Sequence, residues 1–449
     1  MTISQRDSIP RTPSEQSDEQ RKPPALSDDG ASPPNGGLRA WLQVLASFFL
    51  FFNTWFVSSS LNPTQSPRTS PNHAIITRGV INTYGAYQTI YEETLLPNTT
   101  ASTISWIGSI QSFLIMFLGV LSGPIYDAGH IHPLLYIGSF LIVVGHMTLS
   151  LSHTYWQILL AQSFCIGIGA GLLFVPSVAI LSTYFTTKLP FVVGIAASGS
   201  SIGGVIYPIM LRTLQSEIGF GWSVRVTGFL ALFGLSISCL SIKVRVLPST
   251  KRKMVDLPAF RESPYTCFVL GMFLCFMGLY TPFYYIQSVA KDQNLVPANL
   301  IFYLLPIINA ASTFGRLLPG YISQILGPFN ILIPCALISG ILVLCLLDVH
   351  SEPPLLVICI LYGFFSGSLV SLSAPILVLL TPDKGMVGTR MGMCFMLLGV
   401  ALLIGTPIAG EIQERGGVRG LWAYGGGFTI AGGVVLVVAR WRWLRFGKG

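Results

Sequence analysis

The chain has 449 residues, of which 51% are apolar or aromatic and only 10% are charged, with a formal net charge of +8. Soluble proteins carry about 25% charged residues, so this composition excludes a soluble enzyme, a disordered regulator and a nucleic-acid-binding protein. About 12 apolar runs are long enough to cross a bilayer, which takes ~20 helical residues. Because these runs are continuous, the sequence predicts an all-α membrane protein with twelve transmembrane helices rather than a β-barrel.

The predicted elements form two groups of six helices, joined and flanked by polar segments. Residues 1–36 are rich in Ser, Pro and mixed charge, which predicts a disordered cytosolic tail. The N-terminal half spans 37–243, and a basic cytosolic linker, 244–263, joins it to the C-terminal half, 264–440, which a short cytosolic tail, 441–449, follows. The first helix begins near Arg39, and the others are predicted at 101–123, 131–151, 155–182, 190–211, 222–243, 264–288, 298–324, 328–348, 354–380, 387–410 and 420–440.

One polar segment interrupts the first predicted helix. Residues 57–78 contain three prolines and separate two apolar pieces, 41–56 and 79–90, of which the second is too short to span a bilayer. The segment is either a true outer loop, which shifts the topology by one crossing, or a translated in-frame intron of 22 codons beginning at Val57. We favour the intron, because removing the segment restores one continuous helix and polar backbone is not tolerated against lipid.

The distribution of Lys and Arg predicts which side of the membrane the termini occupy. Of the basic residues in tails and loops, 18 lie on the side of the termini and 4 on the opposite side. Since basic loops stay in the cytosol, we expect a multi-pass protein of the plasma membrane with both termini cytosolic. The sequon Asn98-Thr99-Thr100 falls in the first outer loop and predicts N-glycosylation of Asn98.

Glycines recur at a near-constant offset in three pairs of helices. The matches are Gly123 with Gly320, Gly167 with Gly363, and Gly194 with Gly392, at offsets of 197, 196 and 198 residues. They relate the second helix to the eighth, the fourth to the tenth and the fifth to the eleventh, which indicates two six-helix pseudo-repeats. Such halves enclose a binding site near the bilayer midplane and permit alternating access, as in secondary transporters.

Four segments resemble motifs of a known family: 35–41 (NGGLRAW), 184–204, 221–225 (GWSVR) and 309–320 (NAASTFGRLLPG). They are similar to the fungal monocarboxylate-transporter-like branch of the major facilitator superfamily (MFS). Asn35 replaces the acidic residue of the first motif, and Lys188 is the remaining one of two basic residues in the second. The resemblance covers about 36–440 and implies the MFS fold and a secondary transporter.

Gly123, Asp127 and Gly129 resemble the superfamily's motif between the second and third helices. Glycine allows two helices to approach closely, and a carboxylate can accept N–H groups at a helix N-terminus. We therefore expect these residues to form a cytosolic gate. The matching position in the second half is Gln324, so this contact is weaker there or made in one half only.

Ionisable residues inside the membrane are functional candidates. Arg316 lies 18 residues into the eighth predicted helix, and we expect it to bind a substrate carboxylate or to hold a fixed structural contact. Arg225 lies near the outer end of the sixth helix and either binds or snorkels. The resemblance implies an Asp in the animal relatives where Ser312 stands, so proton coupling is open. Glu92 and Glu93, at the outer end of the first helix, either substitute as proton carriers or form a solvated outer rim.

Further polar and aromatic residues are expected to line the site or else to pack between helices or against lipid. They are Asn309, Asn82, Tyr84, Gln88, Ser198, Ser201, Tyr280 and Tyr284. Tyr280 and Tyr284 share one helix face, and Pro282 beside them predicts a bend in the seventh helix.

These features predict a secondary transporter of a small organic anion or metabolite, monocarboxylate-like or riboflavin-like, that works by alternating access. Two alternatives stay open: efflux of a secondary metabolite, and a non-transporting nutrient sensor. We expect no enzyme, catalytic residue, metal or cofactor, since the sequence shows no buried nucleophile with a base and only His130 and His132 as a metal pair. The expected partners are the substrate, the bilayer and, if transport is proton-coupled, a proton. We expect no nucleic acid partner, and we predict a monomer.

Overall fold

A computed structural model describes residues 33–54, 91, 95–96, 99, 101–243, 245 and 255–446. They belong to one compact unit, and every regular element among them is helical. In the first half, α1 is Leu38–Thr54, α2 is Ala101–Phe117 continued by Gly119–Asp127, α3 is Ile131–Leu149 and α4 is Tyr155–Tyr184. Near the start of α4, Leu159–Ile166 is a π-helix.

Two very long helices each contain two membrane crossings. Leu189–Ser241 has 53 residues and would be ~80 Å long if straight, far more than the ~30 Å of a bilayer core. It breaks at Gly219, whose φ of 76° suits glycine alone, so α5 is 189–218 and α6 is 220–241. Val387–Phe446 breaks in the same way at Gly417, with φ 68°, so α11 is 387–416 and α12 is 418–446.

The second half contains the remaining helices. The first, α7, is Ser263–Leu279 continued by Thr281–Asp292, and α8 is Ala298–Ile301 followed by Leu304–Leu326. After them come α9, Pro328–Cys345, and α10, Glu352–Leu379.

The twelve-helix prediction is confirmed. The described residues contain nine helical segments long and apolar enough to cross a membrane, and two of these are the broken pairs. Adding α1, which ends at Thr54 within the described range, gives twelve helices. Residues 1–32 and the insertion at 57–78 lie outside the described residues.

Several helices are longer than the hydropathy pattern predicts. The seventh runs to Asp292 rather than 288, the fifth to 218 rather than 211, and α12 to Phe446 rather than 440. The predicted tail at 441–449 is therefore helical through Phe446. Trp441 packs under the Arg445 guanidinium at 3.9 Å, and such aromatic and basic side chains anchor a helix where it leaves the bilayer.

The starts of α1 and α7 lie on one face of the molecule, together with the ends of α4 and α6. The Asn35 amide donates to the Tyr184 carbonyl at 3.1 Å, and Gln43 donates to the Ser241 carbonyl at 2.8 Å. Arg442, near the end of α12, donates to Ser263 at the start of α7. We call this the terminal face, because the chain both enters and leaves the bundle there.

At two pairs of helices, the main chains of the two halves approach each other very closely. On α2, a Cβ at Gly123 would lie 2.1 Å from the Gly388 carbonyl oxygen of α11. On α5, a Cβ at Gly194 would lie 2.3 Å from the carbonyl oxygen of Arg316 in α8. Only small residues allow backbones to meet so closely within a membrane. Glycine positions of the repeat therefore set the interface between the halves.

Candidate functional site

Arg316 lies at the α5–α8 contact and is 7% exposed. Its Nη1 donates to the Ala197 carbonyl oxygen at 2.6 Å and to the Ser200 hydroxyl. Its Nε donates to Ser312 Oγ at 3.2 Å, one helical turn earlier on α8. The guanidinium of one half thus binds neutral oxygen atoms of the other half as well as of its own helix.

The charge of Arg316 is not neutralised within the described part of the chain. No Asp or Glu oxygen of the described residues lies within 4.0 Å of its guanidinium, and Nη2 makes no hydrogen bond there. Hydroxyl and carbonyl oxygens satisfy N–H donors but carry no formal charge. A buried cation without an anion is costly, so this position favours a bound anion.

The other polar residues predicted to line the site on α5 and α8 make no direct hydrogen bond to Arg316. Ser201 shares a 3.1 Å hydrogen bond with Ser312, which itself contacts Arg316. Ser198 donates to the Ile195 carbonyl of its own helix. The half-buried Asn309 donates to the Leu305 carbonyl and packs against Gly204. Their roles in binding stay predictions.

Sequence reasoning missed Ser200 and Ala197. Both contact Arg316 directly, whereas the predicted Ser198 and Ser201 do not. The two neighbouring serines looked equally suitable, and a main-chain carbonyl gives no sequence signal at all. Only the rotation of α5 against α8 selects these atoms.

The helix α7 is interrupted close to the proline where a bend is predicted, and an aromatic cluster lies at this interruption. The helix is interrupted at Tyr280, two residues before Pro282. The Tyr280 ring lies 5.8 Å from Phe276, 5.6 Å from Phe283 and 6.3 Å from Tyr284. Tyr280 also lies within electrostatic reach of Arg316. Tyr280 and Tyr284 thus belong to one aromatic cluster at this interruption of α7.

A narrow cavity of about 10 Å³ lies between the halves and has room for about one water molecule. Helices α1, α2, α4 and α5 supply one side of its wall, and α7, α10 and α11 supply the other. Its lining is Phe51, Met116, Phe174, Val178, Val193, Ala197, Phe276, Val370, Ser373, Ala374 and Phe395. The cavity adjoins the arginine through Ala197, whose carbonyl accepts the Nη1 hydrogen bond.

Asp127, at the end of α2, contacts the first turn of α11. Its Oδ1 accepts from the Gly388 amide at 2.9 Å, and its Oδ2 accepts from the Thr389 amide at 2.6 Å and from the Thr389 hydroxyl at 2.8 Å. The positive end of the helix dipole favours this carboxylate. Gly123 allows the close approach, and Gly129, with φ 87°, turns the chain into α3. Their function as a gate stays a prediction.

The second half has no equivalent of this contact among the described residues. Gln324 stands at the matching position on α8, and its buried Nε2 has no hydrogen-bond partner. Lys188 and Pro190 begin α5 opposite it, and Gly320 packs against the Pro190 carbonyl. Among the described residues, a polar side chain therefore joins α2 to α11 at the terminal face, but Gln324 does not join α8 to α5 in the same way.

The comparisons with known proteins identify the family. The sequence model of the Major Facilitator Superfamily matches residues 40–347. The MFS-type transporter dbaD of Emericella nidulans is 45% identical over 421 residues, which cover 93% of this chain and 90% of the relative. The chain belongs to the major facilitator superfamily. It is a multi-pass membrane protein of a family of transporters.

A second MFS relative has a more informative name. The Agnestins efflux protein AgnL12 of Paecilomyces divaricatus is 36% identical, over 81% of this chain and 83% of the relative. Among solved structures, the human organic anion transporter MFSD10 matches with a TM-score of 0.65 and 14% identity, over 89% of this chain and 98% of that one. This likeness shows the MFS fold. Membership of the narrower monocarboxylate-transporter-like branch stays a prediction.

The structure of this MFS protein also contains a cluster of ion pairs that the sequence analysis did not predict. Arg390, in the first turn of α11, binds both oxygens of Glu262, at 2.7 and 2.5 Å, and donates to Asp256 at 2.8 Å. Both acids belong to the segment predicted as a basic linker. Arg390 directly follows Thr389, so the linker is tied to the turn that holds Asp127. The sequence analysis did not single out these two acids, because basic residues outnumber acidic ones in 244–263.

The remaining predicted site residues separate into two groups. Arg225 donates from Nε to Ser150 Oγ at 3.1 Å and stacks over Trp222 at 4.8 Å, which is a structural contact within the first half. Asn82, Tyr84, Gln88 and Asn98 lie outside the described residues. The described residues contain no group of three or more His, Cys, Asp or Glu side chains that could hold a metal ion.

Proposed function

We propose that this MFS protein exports an organic anion made by secondary metabolism, and that Arg316 binds the acidic group of that anion. The observation that carries the proposal is the buried Arg316 guanidinium, which contacts only neutral oxygens among the described residues. A carboxylate supplies the missing negative charge and can bind a guanidinium through two parallel hydrogen bonds.

The position of Arg316 suits a step in alternating access. Its contacts to Ala197 and Ser200 cross from the second half to the first. A substrate carboxylate at the guanidinium therefore competes with contacts that hold the two halves together. Binding then weakens the α5–α8 contact, which couples occupancy of the site to movement of the halves 37–243 and 264–440.

The direction of transport is proposed from the relatives. AgnL12 is named an efflux protein, and dbaD is named a transporter. The alternative is uptake of a monocarboxylate or of a riboflavin-like vitamin. Uptake would use the same site, but the substrate would cross the membrane in the opposite direction. With cytosolic termini, as the basic residues predict, the closed terminal face and the Asp127 contact lie toward the cytosol.

The test uses everted membrane vesicles from yeast that expresses the full chain, in which an exporter accumulates its substrate inside. The labelled probes are naphthalene-1-carboxylate, its uncharged carboxamide, and lactate, each with and without an uncoupler. We expect a carboxylate to accumulate and Arg316→Gln to reduce its initial rate by about tenfold to a hundredfold, the effect of losing a charge-assisted hydrogen bond. Loss of accumulation with the uncoupler identifies proton coupling.

Arg225→Gln is the matched control, because it removes another arginine whose contacts stay within one half. It should leave the rate within about twofold, as expected for a partly exposed contact. An unchanged rate in Arg316→Gln removes Arg316 from the site. If the normally expressed wild-type chain moves no anion in either vesicle orientation, the proposal is wrong and the sensor is favoured.

A further inference from the structure

We infer that the transported anion carries a flat aromatic body, which is held between Phe174 and Phe395 while its acidic group binds Arg316. This inference rests on the proposed function and names the chemical class of its substrate. It starts from the side chains that surround the cavity beside the arginine.

Phenyl rings from both halves meet at this cavity. Phe174 of α4 lies 4.9 Å from Phe395 of α11, with the ring planes at 65°, and 6.0 Å from Phe51 of α1, at 84°. Phe276 of α7 also lines the cavity. The Phe174–Phe395 pair crosses the interface, so it must separate whenever the halves move apart here. Separated rings regain an aromatic contact when a flat ring enters between them.

The rest of the wall is almost entirely apolar. Ser373 carries the single hydroxyl among the lining side chains, and it donates to the Val370 carbonyl of its own helix at 2.8 Å. A small hydroxy acid such as lactate would find only the Ser373 oxygen, as an acceptor, for its hydroxyl and would bury little apolar area here. An aromatic body instead gains from burial in proportion to its apolar area.

The cavity is joined to the arginine along two routes. Ala197 both lines the cavity and accepts the hydrogen bond from Arg316 Nη1. Phe276 lines the cavity and packs at 5.8 Å on Tyr280, which lies within electrostatic reach of Arg316. A ligand that fills both places therefore joins an acidic group to an aromatic body within one small molecule.

The cavity of about 10 Å³ is too small for such a ring, since cavities that bind benzene are on the order of 150 Å³. The described conformation is thus closed around the phenyl pair, which fills the place of the substrate ring. Entry of the ring requires Phe174 and Phe395 to part, and this ties recognition of the aromatic body to opening of the halves.

The experiment measures ligand binding to the full-length protein in detergent by the shift in its thermal unfolding midpoint, which reports affinity independently of transport. The probes are naphthalene-1-carboxylate, the saturated decahydronaphthalene-1-carboxylate, naphthalene-1-carboxamide and lactate. We expect naphthalene-1-carboxylate to bind at least about tenfold more tightly than lactate and more tightly than its saturated analogue, which has similar size but no flat ring.

Phe174→Leu and Phe395→Leu should each weaken binding of naphthalene-1-carboxylate by about tenfold and remove its advantage over the saturated analogue. Phe140→Leu is the matched control, because Phe140 is 66% exposed on α3, and it should leave binding unchanged. If the cavity variants do not fold, the comparison of the four probes on the wild-type protein decides the question.

Equal binding of lactate and naphthalene-1-carboxylate overturns the aromatic inference while leaving an anion site in place. The same holds if the two cavity variants fold and weaken both acids equally. Binding of the carboxamide as tightly as the carboxylate, or unchanged carboxylate binding in Arg316→Gln, instead contradicts the proposed function. The two failures are therefore distinguishable in one set of measurements.

Discussion

At the scale of single residues, the most informative position is Ser312, a neutral side chain beside the buried Arg316 guanidinium, where an acid would cancel the charge. Ser312 accepts a hydrogen bond from Arg316 Nε and shares another with Ser201. Ser312, Ser200 and the Ala197 carbonyl thus bind the guanidinium, and Ser201 binds Ser312. None of these groups neutralises the charge of the arginine. The arginine keeps a net attraction for an anion that an internal carboxylate would remove.

Ser312→Asp tests this argument directly. The new carboxylate would lie next to Arg316 Nε and pair with it, so we expect the transport rate of naphthalene-1-carboxylate to fall by about tenfold, as when a charge-assisted hydrogen bond is taken by a competitor. Ser312→Asn, which has the same shape without the charge, should retain most of the rate. Equal losses in both variants would show that size rather than charge matters at this position.

At the scale of elements, the start of α11 is where three segments converge. Gly388 and Thr389 bind Asp127 of α2, and the adjacent Arg390 binds Glu262 and Asp256 before α7. The Tyr265 hydroxyl also donates to the Arg390 carbonyl at 2.8 Å. Movement of α11 away from α2 therefore pulls on the linker that joins the two halves.

Asp127→Asn should loosen this convergence. The amide keeps the shape but loses the charge that the helix N-terminus stabilises, an effect of about 0.3–2 kcal/mol. We expect the main-chain amides at the start of α11 to exchange with deuterium roughly two- to thirtyfold faster, measured by mass spectrometry of peptides covering 387–396. Asp348→Asn is the control, since that carboxylate is 97% exposed. Unchanged exchange in Asp127→Asn would show that the carboxylate of Asp127 does not hold the start of α11 against α2.

At the scale of the whole molecule, the two halves close against each other through glycine contacts, and no large polar network joins them among the described residues. The α2–α11 and α5–α8 crossings both depend on positions where a side chain has no room. Hydrogen bonds between the halves are concentrated at Arg316 and at Asp127. Such an interface can separate without exposing many unpaired polar groups to lipid, which suits a protein that must open repeatedly.

Gly194→Val tests whether this closure is needed for transport. The new Cβ would lie 2.3 Å from the main-chain oxygen of Arg316, which belongs to the other half, so the halves cannot close fully. We expect transport to fall by more than about tenfold while the amount of protein in the membrane stays within twofold. Gly427→Val is the control, because nothing lies within 4 Å of the Cβ it adds. Normal transport in Gly194→Val would show that the described closed state is not part of the cycle.

Hydropathy by itself determined the helical class and the number of crossings, and the resemblance of four short motifs indicated the superfamily. These properties are read locally, because each membrane helix needs its own run of ~20 apolar residues and satisfies its own main-chain hydrogen bonds. The repeat offset also indicated which helices correspond between the halves. The sequence likewise singled out Arg316, because a basic residue within an apolar run is rare.

Only the tertiary structure decided what those residues contact. The partners of Arg316 on α5 lie 116 to 119 residues away, and Asp127 binds amides 261 and 262 residues away. Such contacts depend on how far each helix is rotated and shifted against its neighbour, and a rotation of one residue exchanges Ser200 for Ser201. Phe174 and Phe395 look like ordinary apolar residues in their own helices. Their pairing across the halves exists because two separately predicted helices meet at that level of the bundle.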